Sequence, residues 1–300
     1  MSGPTVGIDI GGTKTVAALV DAAGTVLDRR QAPTPAQEGP AAVLDTAARL
    51  AGDLLPAAGA GPVGVGTAGT VDPATGTIRY ATDSLPGWAG TRVADELAVR
   101  LARPVRVTND VNAAALGECW VGAGRDRQDL LLVAVGTGLG GALLQHGRVC
   151  TGARGGAGEV GHLPALGAER LRCGCGRYGH LEAIASGTGL AQAFALATGE
   201  RITGRTVADR AGTGDRTARN VVHRAGTALG ATLAGLVALL DPELVLVAGG
   251  AAGSLLPAAA TAYRAALPPA WADVPLLSAA LGADAVVVGA ARLTVSLEEA

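Results

Sequence analysis

TVGIDIGGTKTVAALVDAAGTVLDRR, residues 5–30, opens as an alternating, β-rich run that breaks at Gly11-Gly12. A second apolar run follows, then a turn at Ala23-Gly24, then a third run. The pattern is a three-stranded β-meander. The same opening recurs at residues 129–149, DLLLVAVGTGLGGALLQHGRV, again with a glycine turn behind an apolar strand. Two like openings in one chain indicate an internal repeat and two similar α/β halves.

Between the openings, PAAVLDTAARLAGDLL (40–55) has apolar positions at helical spacing behind a proline start. VGVGTAG (63–69) reads as a buried strand, ADELAVRLA (94–102) as a helix and VRVT (105–108) as a strand, with a helix from Asn109 through Glu118. LVLVAGGAAG (244–253) is a late strand that runs into glycines. TALGATLAGLVALL (227–240) is too short to span a bilayer before Asp241, Pro242 and Glu243 stop it. A buried core helix is the expectation there.

Three hundred residues predict roughly two domains. The chain is 49% hydrophobic but only 2% aromatic, so aliphatic side chains must fill its cores. A formal net charge of −2 gives no basic footprint for nucleic acid. No signal peptide precedes TVGIDI, and a cytoplasmic protein without a membrane segment is expected. Four cysteines do not make a disulfide framework in a chain of this length, and the Cys173-x-Cys175 pair favours a metal. Cys119 and Cys150 read as ordinary buried positions. Of 24 basic residues the only lysine is Lys14, inside the first glycine turn.

DIGGTKT (9–15), GTGLGG (136–141) and LVAGGAAG (246–253) each follow an apolar strand. Such turns let backbone N–H groups converge on an anion, or they are tight hairpins. No stretch fits GxxxxGK[ST], and neither GxGxxG (64–69, 136–141) leads into a helix as a dinucleotide turn requires. Three turns, with Asp9 beside the first and Lys14 within it, point to a nucleotide. Asp9 suits water-mediated contact with Mg²⁺. Asp110 follows a strand where a helix begins. It is either part of an N-terminal cap or a general base that accepts a hydroxyl proton during phosphoryl transfer.

Taken together, DIGGTK (9–14), NDVNAAALGE (109–118), GTGLGG (136–141), GEVGH (158–162), CGCGRYGHLEAIASG (173–187) and AGG (248–250) resemble the ROK family of sugar kinases and their repressor relatives. The likeness spans essentially the whole chain. It implies an actin-like ATPase fold with two RNase-H-like α/β domains, sugar in an interdomain cleft and ATP with Mg²⁺ on the glycine turns. The smaller domain is expected over residues 1–108, completed by 286–300, and the larger over 109–285. By the same resemblance Asp110 is the catalytic base. Gly69, Thr82, Asn109, Asp110, Glu159, His162 and Glu182 contact sugar. Asp9, Gly11, Gly12, Thr13, Lys14, Thr137, Gly138, Gly249 and Gly250 hold ATP. A homodimer is implied. The family's repressors carry a helix-turn-helix ahead of the first strand, and with that strand beginning at Thr5 no such module is expected.

His162, Cys173 and Cys175 match the family's structural zinc ligands. The usual third cysteine is replaced by His180, itself a competent ligand, which makes the four-ligand site neutral rather than singly negative. For the acceptor, YATDSLPGW (80–88) and the cysteine-rich run resemble N-acetylmannosamine kinases. An N-acetylhexosamine, GlcNAc or ManNAc, phosphorylated at C6 is therefore expected, with glucose the alternative and a sugar-sensing regulator a more distant one.

Overall fold

The computed structural model describes residues 3–294. The first meander forms as read: β1 (Thr5–Ile10), β2 (Lys14–Val20) and β3 (Val26–Pro33) pair antiparallel in sequence. Then come α1 (Pro40–Gly52), β4 (Val63–Thr67), the short hairpin β5 (Thr70–Val71) and β6 (Ile78–Tyr80), α2 (Val93–Leu101), β7 (Val105–Asn109) and α3 (Asp110–Val121). The second meander is β8 (Leu130–Val135), β9 (Leu139–Gln145) and β10 (Arg148–Val149). It is followed by α4 (Glu182–Ala185), α5 (Gly187–Thr198), α6 (Gly204–Thr213), α7 (Arg216–Leu240), β11 (Leu244–Ala248), α8 (Ala252–Ala266), β12 (Leu276–Ser278) and α9 (Ala285–Leu293).

The strand orders are β3-β2-β1-β4-β7 and β10-β9-β8-β11-β12. In the first sheet β1–β4 and β4–β7 are parallel, and in the second β8–β11 and β11–β12 are parallel. Each sheet is thus a meander with two parallel strands added beside its first strand. The repeat seen in the sequence is a repeat of topology, as the actin-like ATPase class requires.

Contacts divide the described chain into two compact units, one of residues 3–128, 143–157 and 280–294, the other of 129–142 and 158–279. In this division α3 packs with α9 in the first unit. The contact is backbone to backbone: a Cβ on Gly289 of α9 would stand 1.6 Å from the carbonyl oxygen of Ala113. Buried Glu118, near the end of α3, accepts from the N–H groups of Ala123 (2.8 Å), Ala280 (2.9 Å) and Leu281 (2.7 Å). It thereby ties the approach to α9 to the end of α3. The described part of the expected C-terminal segment joins the first unit, and residues 295–300 lie outside the described residues.

Each unit has its own aliphatic core. In the first, Ile8, Ile10, Leu44, Val65 and Leu97 pack around Trp88, while Val16, Ala18 and Val20 meet Val287 and Ala291 of α9. In the second, Leu131, Val133, Val245 and Val247 pack with Phe194, Leu229, Leu233 and Tyr263. α7 begins earlier than the apolar run suggested, because Asp215 caps it, accepting from Thr217 N–H at 2.8 Å and Ala218 N–H at 3.0 Å. It is long and apolar enough to cross a membrane by length and composition alone. Its buried positions, among them Ala225, Gly226, Leu229 and Leu233, belong to a helix packed against α8.

Candidate active site

In the first unit, β1 delivers Asp9 to the edge of the first glycine turn. Gly11 N–H closes the turn onto Lys14 carbonyl at 3.1 Å. Thr34 Oγ1 donates to Gly11 carbonyl at 2.7 Å and lies 2.8 Å from Thr15 Oγ1. Thr13 and Lys14 are exposed. Gly12 meets the loop that follows β6: a Cβ there would be 2.8 Å from Ser84 carbonyl oxygen. In that loop the Ser84 and Thr82 hydroxyls pair at 2.9 Å. The phosphate-type turn and the sugar-type loop of the sequence are therefore adjacent.

The Asp9 carboxyl is pushed up to about 7, first by burial and then by the charge of Asp110, with Lys14 and Arg29 pulling the other way. Asp9 and Asp110 thus form one acidic locus, built from the end of β1 and the start of α3. Asn109 caps α3. Its Oδ1 accepts from Val111 N–H at 2.8 Å and Asn112 N–H at 3.3 Å, while its Nδ2 donates to Gly69 carbonyl at 3.0 Å. Asn109 is committed as the cap. Asp110 occupies the first helical position and accepts from Val111 N–H at 2.9 Å.

In the second unit the glycine turn at 136–141 lies at the end of β8, and Gly249-Gly250 at the end of its parallel neighbour β11, where Ala134 pairs with Ala248. Ala251 N–H donates to Val135 carbonyl at 3.3 Å. Thr137, Gly138, Gly249 and Gly250 thus meet at the carboxyl ends of two parallel strands, where open α/β sheets bind ligands. Thr188 and Gly187 also belong to this turn. Gly187 N–H donates to Gly136 carbonyl at 2.9 Å, and Thr188 donates to Thr137 carbonyl from N–H at 3.1 Å and Oγ1 at 2.9 Å. Sequence reasoning passed over both. Their signal was the second glycine of SGTG (186–189), placed where Ser186 caps α5.

GEVGH crosses this turn at contact distance. A Cβ on Gly161 would lie 2.1 Å from Leu139 carbonyl oxygen, so only glycine lets the segment pass. The crossing places Glu159, His162 and Glu182 in one neighbourhood. Partial desolvation and the charge of Glu182 raise the Glu159 carboxyl, with His162 lowering it. Glu182, at the start of α4, accepts from Leu139 N–H through Oε2 at 3.2 Å and from the Cys173 thiol through Oε1 at 3.1 Å.

His162, Cys173, Cys175 and His180 offer four ligand atoms that lie within 4.8 Å of one another. Cys173 Sγ is 3.7 Å from His162 Nδ1, and Cys175 Sγ is 3.3 Å from His180 Nδ1. Tetrahedral zinc with two sulfurs and two nitrogens has ligand–ligand edges of about 3.3–3.8 Å. The donor set suits such an ion and both Cys–His pairs fall on those edges, with His180 in the place expected of a sulfur. Cys173 is buried, and burial pushes its thiol up to about 12. Cys119 and Cys150 are only half-buried, not buried as the sequence suggested, and their thiols reach Arg127 carbonyl at 2.8 Å and Gln145 Oε1 at 3.1 Å.

Residues 5–296 match the model of the ROK family. The chain is 38% identical to an N-acetylmannosamine kinase of Shigella boydii, over 96% of this chain and 97% of the relative. It is 33% identical to a glucokinase of Halalkalibacterium halodurans, over 95% and 92%. Its fold superposes with a TM-score of 0.84, at 32% identity, on a ROK glucokinase from Streptomyces griseus solved with glucose and AMPPNP, covering 97% of this chain and 99% of that one.

Proposed function

The chain belongs to the ROK family, and from that premise we propose that it is an ATP-dependent sugar kinase that phosphorylates the C6 hydroxyl of an N-acetylhexosamine. The observation that carries this reading is Asp110, set at the first position of α3 with its neighbour Asn109 anchored to the Gly69 loop. A base for phosphoryl transfer needs a carboxylate fixed within reach of the attacking hydroxyl.

In the reaction, the C6 oxygen forms a bond to the γ-phosphorus of ATP as the bond to the β,γ-bridging oxygen breaks. Asp110 accepts the hydroxyl proton, and ADP leaves with the electron pair. Mg²⁺ enters as part of the ATP substrate. Asp9, held up to about 7 by burial and by Asp110, is the carboxylate suited to that cation's water shell. The backbone turns at Gly11-Gly12, Thr137-Gly138 and Gly249-Gly250 take the nucleotide, with Thr13 and Lys14 beside the first. Gly69, Thr82, Asn109, Glu159, His162 and Glu182 take the sugar. Carboxylates accept from neighbouring hydroxyls, while an Asn both donates and accepts.

Zinc is the metal that the His162, Cys173, Cys175 and His180 set suits. When bound it supplies a rigid cross-link between GEVGH and the cysteine loop. The protein's own part is to hold Glu182 beside that cross-link and against Leu139 N–H.

The N-acetylhexosamine is favoured over glucose by the 38% identity to the N-acetylmannosamine kinase. Glucose is the second reading, favoured by the glucokinase relatives. A coupled ATP-turnover screen over GlcNAc, ManNAc, glucose, mannose and fructose decides between them. The reading predicts the highest kcat/KM with an N-acetylhexosamine, and no turnover with any of the five would overturn the kinase itself.

A further inference from the structure

The first unit carries a cavity of about 1020 Å³ bounded by β7, one face of α3 and the segment around β10. Arg106, Arg125, Arg127, Arg148 and Arg292 line it against a single acid, Asp126. In a chain of net charge −2 this concentration of guanidinium is not a reflection of overall composition. Arg106, Arg125, Arg148 and Arg292 pair with no carboxylate among the described residues.

Two of these groups are already positioned. The Arg292 guanidinium lies 5.4 Å from the centre of the Trp120 ring, and Arg106 Nη1 donates to Leu293 carbonyl at 3.1 Å. A planar guanidinium fixed by stacking loses little freedom when it takes an oxyanion.

The remaining wall mixes apolar side chains, among them Val71, Leu116 and Val149, with uncharged polar ones. Asn112 lines the cavity at 5% exposure, and its Oδ1 has no hydrogen-bond partner. A buried acceptor of this kind calls for a donor such as a hydroxyl. β7 is the last strand of its sheet, and Arg106, Val107 and Thr108 on it line the cavity. An edge strand offers backbone N–H and C=O groups outward, which also suit hydroxyls.

We propose that this cavity binds a phosphorylated sugar, its phosphate on the arginines and its hydroxyls toward Asn112 and the edge of β7. The volume is ample for a molecule of that size. The class coincides with that of the product proposed above, and Asn109, assigned there to the sugar, also lines the cavity, but none of the five arginines is among the residues assigned to that reaction.

The test uses the whole chain and Trp120, which lines the cavity, as a fluorescent reporter. N-acetylglucosamine 6-phosphate and glucose 6-phosphate are titrated at constant ionic strength into wild type, Asp110→Asn and the double variant Arg125→Ser, Arg148→Ser. The expected result is saturable binding that is unchanged in Asp110→Asn and at least tenfold weaker in the double variant. Sulfate and the unphosphorylated sugars bind at least tenfold more weakly to wild type. The double variant keeps kcat within about twofold if the chain is a kinase. Should the chain phosphorylate no sugar, the binding is still expected, so the two readings fail separately. Absence of saturable binding, equal binding by the double variant, or equal binding of sulfate overturns the proposal. So does a dimer that dissociates in the double variant while no sugar phosphate binds, because a second copy is then the occupant.

Discussion

The carboxylate of Glu182 joins Cys173 to the second glycine turn: one oxygen takes the Cys173 thiol at 3.1 Å and the other takes Leu139 N–H at 3.2 Å. Metal binding requires Cys173 as a thiolate, and a thiolate cannot donate. Zinc held by Cys173 would therefore remove this thiol donor and leave Glu182 Oε1 available to accept from another group. Stripping the metal is expected to raise the sugar KM about tenfold before the ATP KM changes, with recovery on adding zinc. Steady-state kinetics on stripped and reloaded enzyme measure this. An unchanged sugar KM in a folded, fully stripped protein would sink the coupling.

The metal set makes a sharper demand of His180. His180→Cys is expected to keep about one zinc per chain, while His180→Ala loses most of it. Metal analysis after dialysis reads both. Full zinc content in His180→Ala would remove His180 from the site.

Asp9 gives the protein a pH-dependent stability. The folded state holds this proton up to about pH 7, whereas the unfolded chain releases it near 3.8. Between those values the folded state binds more protons, so unfolding free energy from this group falls as pH rises. The effect is at most about 4 kcal/mol when complete. Asp9→Asn, without nucleotide or Mg²⁺, is expected to be more stable than wild type at pH 8 and to lose that advantage toward pH 4. Denaturant unfolding at the two pH values measures the gap. A variant less stable than wild type at pH 8 would contradict it.

Gly161 sets a steric limit. A methyl group there meets Leu139 carbonyl at 2.1 Å, and neither segment can yield without moving the glycine turn. Gly161→Ala is expected to cost about 1–3 kcal/mol and to raise the KM values for sugar and ATP together. Unchanged kinetics and Tm would show that the two segments separate freely.

Much of this was legible in the sequence because it is local. The two meanders, α1, α2, β7 and the start of α3 follow from periodicity and turn residues within a few positions. The glycine turns were recognisable, and so was His162 as the distant partner of the cysteine pair, through the family resemblance. What stayed hidden depends on contacts across long separations. No periodicity tells that α3 belongs with α9, since the evidence is a missing Cβ at Gly289 and a buried carboxylate at Glu118 that reaches Ala280 and Leu281. The attachment of Glu182 to Leu139 and the Thr188 bonds to Thr137 were equally invisible, because each links groups more than forty residues apart. The arginine-lined cavity draws on positions 106 to 292, which no window along the chain brings together.

The central claim is that Asp110 is the base. It is tested most directly by single-turnover phosphorylation of the best sugar in the screen by wild type and Asp110→Asn, with sugar and ATP affinities measured on the same preparations. The account predicts a loss of about 10²–10⁴ in the rate of the chemical step, with both affinities within a few-fold of wild type. A variant that transfers phosphate within tenfold of the wild-type rate would contradict it.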